Sequence, residues 1–171
     1  MVNLNIKFGH EKYSDEALCR SIQAILSENE LAGMASIRDG KSWASNAYYC
    51  FDKDLNFYAL FDPHTQHAQN FKMNDSVALS IADSHQSWDV PKKGIQIFRT
   101  CRRAKLSELP KAISLYTDKF LSFGQFIKNP GDFAKGALDS RFYKITTDFL
   151  KLFDETNFGE EEFIELVPRK K

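Results

Sequence analysis

The 171-residue sequence has few cysteines, no excess of charge of either sign and no long apolar run. Its three cysteines form no C-x-x-C pair and cannot all pair internally, which favours a reducing, cytoplasmic compartment. The 23 basic and 23 acidic residues balance, and this argues against a nucleic-acid-binding protein. No apolar run reaches the roughly 18 residues of a membrane span, and residues 1–13 lack the apolar core of a signal peptide. We therefore expect a cytoplasmic protein with no nucleic-acid or membrane partner.

Several catalytic signatures are missing as well. There is no G-x-G-x-x-G loop, which argues against a Rossmann dinucleotide site, and no G-x-S-x-G elbow or Cys-His signature of a hydrolase. His64 and His67 are three residues apart and could share a helical face as zinc ligands. No motif places a third ligand beside them, and His64 also suits the start of a helix. We predict no metal site.

The abundant residues are apolar, with 43% hydrophobic content and 15 phenylalanines. This content predicts one packed domain over residues 1–171. The N-terminal arm, residues 1–13, alternates apolar and polar positions, as an edge strand does. Ser14 is a suitable N-cap for a helix that ends near Asn29. Residues 121–140 predict an irregular covering segment with one or two short helices, and residues 168–171 a frayed tail.

Alternating apolar segments separated by short turns predict a largely antiparallel sheet. Asp39-Gly40 is a strong signal for a two-residue hairpin turn. Two main helices and a short helix within Pro63–Asn74 interrupt the strands, the second main helix running from Glu108 to about Phe120. We predict an α+β fold, a split antiparallel β-barrel of six to seven strands with helices that cap its ends. The seven candidate strands are Leu31–Arg38, Ser42–Asp52, Leu55–Asp62, Ser76–Asp83, Gly94–Leu106, Arg141–Ile145 and Phe149–Phe153. Glu162–Val167 is an additional candidate for a last strand.

Four segments carry a resemblance to a known family: W-A-S-N-A-Y-Y at 43–49, T-x-H-A-x-N at 65–70, V-A-L-S-I at 77–81 and G-I-Q-I at 94–97. The sequence resembles the FMN-binding split-barrel proteins, the relatives of pyridoxamine 5'-phosphate oxidase, and is closest to an uncharacterised bacterial branch. The resemblance implies an FMN cofactor at the boundary of a homodimer. Its ring would lie against 43–49 and its phosphate against the turn 62–67. The implied cofactor-binding residues are Ala44, Ser45, Asn46, Ala47, Asp62, Thr65, Gln66, His67 and Gln96.

The sequence departs from the oxidase pattern at the phosphate turn and at the C-terminus. Many family members have an Arg-Lys or Arg-His pair where this chain has Gln66-His67, and Asp62 adds a negative charge nearby. His67 is then the nearest group that can become positive. The C-terminal motif that holds pyridoxal phosphate in the oxidase has no counterpart, so a true vitamin B6 oxidase is not expected.

Two functions follow from the resemblance. The first is a flavin-dependent oxidoreductase whose hydride chemistry belongs to the FMN. The second is a non-catalytic module that binds flavin or haem on a degenerate barrel. Both faces of Ser42–Asp52 carry apolar or aromatic residues, which predicts cover from a second subunit or a ligand. No residue is forced into a general acid or base role, so the sequence does not identify a substrate or catalytic residue.

Overall fold

The computed structural model describes residues 3–125 and 140–170, which form an antiparallel barrel with flanking helices. The helices are α1 (Asp15–Glu28), α2 (Gln66–Met73), α3 (Leu109–Lys119) and the single-turn α4 (Glu155–Phe158). Short 3-10 turns cover Leu106–Glu108 and Leu121–Gln125. The strands are β1 (Ile6–Lys7), β2 (Leu31–Arg38), β3 (Lys41–Phe51), β4 (Phe57–Phe61), β5 (Ser76–Ala82), β6 (Lys93–Arg103), β7 (Arg141–Ile145), β8 (Phe149–Asp154), β9 (Phe163–Leu166) and β10 (Arg169–Lys170).

Six strands close the barrel in the order β2-β3-β4-β7-β6-β5, with β5 paired back onto β2. The long strand β6 makes this closure and also splits the sheet. Its residues 94–100 pair with β5, its residues 93–98 pair with β8 on the other side, and its last three residues pair with β7. Strands β8 and β9 therefore extend the sheet beyond the barrel. The predicted α+β split barrel is confirmed.

The hairpin between β2 and β3 has the predicted two-residue turn. Asp39 and Gly40 both have positive φ, 51° and 71°, as a type I′ turn requires. Arg38 and Lys41 are paired across the turn, and the register continues to Leu31 opposite Tyr48. The turn thereby sets which residues of β2 and β3 share a face.

Helix α1 begins at the predicted cap, where the Ser14 side chain accepts a hydrogen bond from the Ala17 N–H. Its apolar face is fully buried against the barrel, as its spacing predicts: Leu18, Ile22, Ile25 and Leu26. The Tyr49 hydroxyl donates to the Leu26 carbonyl at 2.9 Å and joins the end of this helix to β3.

Several boundaries differ from the predicted ones. Strand β4 begins at Phe57 rather than Leu55, because the Asp52 carboxylate accepts hydrogen bonds from the Asp54 and Asn56 N–H groups and extends the turn. Strand β6 ends at Arg103. The tail prediction was wrong for residues 169–170, which pair with β1. Of the segment 121–140, residues 121–125 form a 3-10 turn and residues 126–139 lie outside the described part of the chain.

Candidate ligand-binding cleft

A row of polar and small residues crosses four neighbouring strands on the outer face of the barrel. Asn46 of β3 pairs with Gly33 of β2, Gly33 pairs with Ser80 of β5, and Ser80 pairs with Gln96 of β6. Residues paired in register lie side by side on the same face of a sheet. The row therefore offers two side-chain amides and one hydroxyl.

A second row, two residues along each strand, is apolar. It runs from Ala44 through Ala35 and Ala78 to Phe98. Because side chains alternate between faces, both rows share the outer face. With strands spaced about 4.8 Å apart, four strands give a floor roughly 14 Å wide, which matches a fused three-ring system.

These two rows are the floor of a cleft with a volume of about 550 Å³, within the usual range for small-molecule sites. Met34, Ser45 and Leu79 border it from the interior side of the sheet. None of the described residues that line the cleft carries a titratable group. The cleft thus offers flat apolar contact and neutral hydrogen-bonding groups.

The structure divides the four consecutive candidates of β3 between two faces. Ala44 and Asn46 lie on the outer floor, together with the candidate Gln96 of β6. Ser45 pairs with Met34, which is 2% exposed, and so lies on the interior face of the barrel. Ala47 belongs to the core at 7% exposure. Among the described residues, the Ser45 Oγ is the buried side-chain polar atom without a hydrogen-bond partner.

Sequence reasoning missed five of the eight floor residues, those contributed by β2 and β5 and one of the two from β6. The signal was weak but present: V-A-L-S at 77–80 and the shorter G-M-A at 33–35 alternate small with apolar residues. Such alternation predicts one buried face and one open, small-residue face. The missed floor residues are Gly33, Ala35, Ala78, Ser80 and Phe98.

The remaining four candidates lie in the turn that leads into α2 (Asp62 and Thr65) and in the first two residues of that helix (Gln66 and His67), and none of them lines the cleft. The Asp62 carbonyl accepts the Thr65 N–H at 3.1 Å and the Thr65 hydroxyl at 2.8 Å. The Asp62 Oδ1 accepts the His64 N–H at 2.8 Å. Thr65 is the N-cap of α2, but its side chain makes no capping hydrogen bond. The hydroxyl is directed back into the turn instead.

The first helical residues are bonded within the same unit. Gln66 Nε2 donates to Asn70 Oδ1 at 2.8 Å, and Asn70 Nδ2 donates to the buried Ser36 Oγ at 3.0 Å. His67 Nε2 lies 3.1 Å from the Thr65 Oγ1, and its ring meets Phe61 edge-on with 4.6 Å between centroids. Burial lowers the pKa of His67 below its ordinary value of 6.5.

Neither a metal site nor a membrane span is found within residues 3–125 and 140–170. No three His, Cys, Asp or Glu side chains of this part come together as metal ligands. None of its helices has both the length and the apolar character needed to cross a membrane.

The sequence matches none of the protein-family models and none of the curated proteins with which it was compared. Solved structures do match. A haem-binding protein of Mycobacterium smegmatis is 16% identical, with a TM-score of 0.67 over 89% of this chain and 56% of that chain. A Clostridium acetobutylicum protein related to general stress protein 26, of the pyridoxinephosphate oxidase family, is 12% identical, with a TM-score of 0.63 over 90% and 96%.

A third similar structure is an FAD-binding protein of Mesorhizobium loti, 11% identical, with a TM-score of 0.57 over 75% of this chain and 87% of that one. At such identities the likeness is one of fold. It confirms at that level the resemblance carried by the four sequence segments. The chain has the split-barrel fold of the pyridoxamine 5'-phosphate oxidase-like proteins.

Proposed function

We propose that this protein binds a flavin in the outer-face cleft as a homodimer, with FMN as the form that the resemblance implies, and acts as an oxidoreductase. The observation that carries the proposal is the cleft itself. A flat floor of small residues about 14 Å wide has one polar and one apolar row, and three sequence-predicted residues lie on it. The flavin-binding and oxidase-family proteins among the similar structures support this reading.

The residues present fit the ring of a flavin. Its benzenoid end would lie over Ala35 and Ala78, where a larger side chain would hold it off the sheet. Its polar edge would meet Asn46, Ser80 and Gln96, whose amides and hydroxyl both donate and accept. When bound, the flavin supplies hydride and electron transfer. The protein's part is to hold the ring flat and exclude water from one face.

The neutral lining of the cleft also limits the chemistry that the described residues can perform. Because none of the described lining residues is titratable, the described part of the chain moves no proton in the cleft. The same observation favours a second candidate, a non-catalytic flavin carrier. It disfavours haem in this cleft, because no described lining residue is a histidine, cysteine or tyrosine that could be an axial ligand. Met34 lies beneath the floor at 2% exposure.

The proposed dimer would bury this same outer face. Large apolar side chains remain exposed on or beside the floor in the single chain: Leu31 at 46%, Tyr48 at 52% and Phe98 at 43%. The expectation that both faces of β3 are covered therefore needs a second molecule. A second cleft continues the face toward Ile37 and Phe149. A face that exposes several large apolar side chains beside polar ones is typical of an interface, and a twofold dimer is the simplest assembly that covers it.

The test begins with the absorption spectrum of the purified protein and its titration with FMN. Bound flavin that is bleached by NADH or NADPH supports the oxidoreductase, and bound flavin that is not bleached supports the carrier. Ala78→Phe should abolish binding by filling the floor. Ala24→Phe, an exposed position of α1, is the matched control and should bind normally. No binding after reconstitution, or normal binding by Ala78→Phe, would refute the proposed site.

Sedimentation equilibrium tests the assembly separately. We expect a dimer at micromolar concentration, and Tyr48→Lys should shift it toward monomer because the change puts a charge on the exposed outer face. A clean monomer for the unmodified protein would show that the face is covered in another way.

A further inference from the structure

We propose that this cleft recognises the ring of a flavin and not its phosphate, so that riboflavin and FMN bind equally well; this inference rests on the proposed flavin site. The resemblance assigns the phosphate to the turn before α2. The hydrogen bonds and the charges of that turn instead argue against a bound phosphate.

The side-chain donors that the phosphate would use are already engaged. The Thr65 hydroxyl donates to the Asp62 carbonyl, so its oxygen accepts the Nε2 proton of His67. The Gln66 amide donates to Asn70. The uncapped backbone N–H groups at the start of α2 remain for a phosphate. However, the phosphate would have to break these bonds before a side chain of the turn could bind it, which removes most of the benefit of the side-chain contacts.

One of these bonds is also tied into the barrel. Asn70 accepts from Gln66 and donates to Ser36, and both Asn70 and Ser36 are buried. Turning the Gln66 amide outward would leave the buried Asn70 oxygen without this donor. An unsatisfied buried acceptor is costly, so the closed arrangement of the turn is the stable one.

The charges at the turn disfavour the binding of an anion. Asp62 contributes a full negative charge, while the N-terminus of α2 contributes only about half a positive charge. His67 stays neutral at physiological pH because burial lowers its pKa. The basic residue of α2, Lys72, lies in its last turn and bonds to Gln69. The turn as a whole therefore repels a dianion.

Two arginines lie on the strands beside the turn. Arg141 is paired with Phe61 in the sheet, and Arg103 with Tyr143. Both line a separate cleft of about 290 Å³ that includes none of the turn residues. Because that cleft includes none of the turn residues, a phosphate held by these arginines would lie outside the turn.

The flavin ring is then the part of the ligand that the cleft can recognise. Its flat apolar surface matches the alanine floor, and its polar edge matches Asn46, Ser80 and Gln96, all neutral. A flavin held in this way leaves its ribityl chain and any phosphate in solvent. The ligand class is then a flat heteroaromatic ring with or without a phosphate.

The experiment compares riboflavin, FMN and lumiflavin, which lacks the ribityl chain, by fluorescence titration of the same dimeric protein at pH 7.5. We expect the dissociation constants of riboflavin and FMN to agree within about threefold, and that of FMN to change less than threefold between 50 and 500 mM salt. A phosphate anchored by charge would make FMN at least about 30-fold tighter and strongly salt-dependent.

The outcomes separate this inference from the function it rests on. If no flavin binds, both fail. If flavins bind but FMN is favoured by 30-fold, or weakens with salt while riboflavin does not, the flavin site stands and the ring-only recognition is overturned. The variant Arg103→Gln, which removes the nearby arginine that lies outside the turn, should leave the ratio of the two constants unchanged. A changed ratio would show that the phosphate is held there, which also overturns the inference.

Discussion

Thr65 Oγ1 lies 3.1 Å from Nε2 of His67, and the imidazole ring is held edge-on against Phe61. Because the Thr65 proton is donated to the Asp62 carbonyl, the contact assigns the Nε2-protonated tautomer to neutral His67. The ring is half-buried, and burial lowers its pKa. His67 is therefore a structural residue of the turn in the folded protein.

The lowered pKa predicts a loss of stability in acid. The unfolded chain takes up a proton on His67 near pH 6.5, whereas the folded chain takes it up only at lower pH. The contribution of neutral His67 is fully present above pH 6.5 and is lost as pH falls below it. His67→Gln keeps a donor for Thr65 but cannot titrate. Its melting temperature should fall less than that of the wild type between pH 7.5 and pH 5.5.

The matched control for this comparison is His85→Gln. His85 is exposed in the β5–β6 loop, where its Nδ1 lies 3.3 Å from Asp83. If this replacement changes the pH profile as much as His67→Gln does, burial is not the cause. A His67→Gln profile parallel to that of the wild type would contradict the burial argument.

Gly40→Val should destabilise the hairpin that begins the barrel. Gly40 has φ of 71° and follows Asp39, which also has positive φ. A β-branched residue resists this conformation, so we expect a loss on the order of 1–3 kcal/mol in the free energy of unfolding, measured by urea denaturation. Asp39→Asn is the control, because asparagine tolerates the left-handed region. Equal stability of Gly40→Val and wild type would show that the turn does not constrain the fold.

Replacing Ser45 should change stability and not flavin binding, whereas replacing Ser80 should change flavin binding and not stability. The Ser45 Oγ is buried on the interior face without a hydrogen-bond partner among the described residues, so Ser45→Ala should stabilise the protein by about 1 kcal/mol. It should leave flavin affinity unchanged. Ser80 is exposed on the polar row, so Ser80→Ala should leave stability unchanged and weaken flavin binding several-fold. Weaker flavin binding by Ser45→Ala would place its hydroxyl in the site after all.

Local signals in the sequence predicted most of the fold. The Asp39-Gly40 turn, the Ser14 cap and the apolar face of α1 each depend on neighbouring residues, and each is confirmed. The floor of the cleft depends on register between strands far apart in sequence. Ala35 and Ala78 become neighbours only when β5 closes onto β2, and no local pattern specifies that pairing.

The candidate site could be predicted only in part, for the same reason. The resemblance placed Ala44, Asn46 and Gln96 on what proved to be one face. It could not show that the Gln66 amide is bonded to Asn70, since that arrangement depends on the buried contact with Ser36, 34 residues away. Residue types at a motif predict which donors are present, and only the tertiary structure shows which of them are already used.

Gln66→Arg should create the phosphate preference that this chain lacks. Arginine is permanently charged and offers several donors in a planar fork, so it would offset Asp62 and bind a phosphate oxygen pair without drawing on the bonds of Thr65. Gln66 is exposed at the first position of α2, so the longer side chain has room. The change gives up the Gln66–Asn70 hydrogen bond, a cost to stability that the FMN and riboflavin titrations share. We expect FMN to bind at least about tenfold tighter than in the wild type, with riboflavin unchanged.

Gln69→Arg, one turn further along α2, is the matched control and should change neither affinity. The two ligands are titrated against all three proteins at pH 7.5, above the pKa of His67 in the wild type, which burial lowers. Equal tightening of riboflavin would mean that arginine acts on the ring or on folding. No tightening of FMN would show that the phosphate of a cleft-bound flavin does not reach the turn.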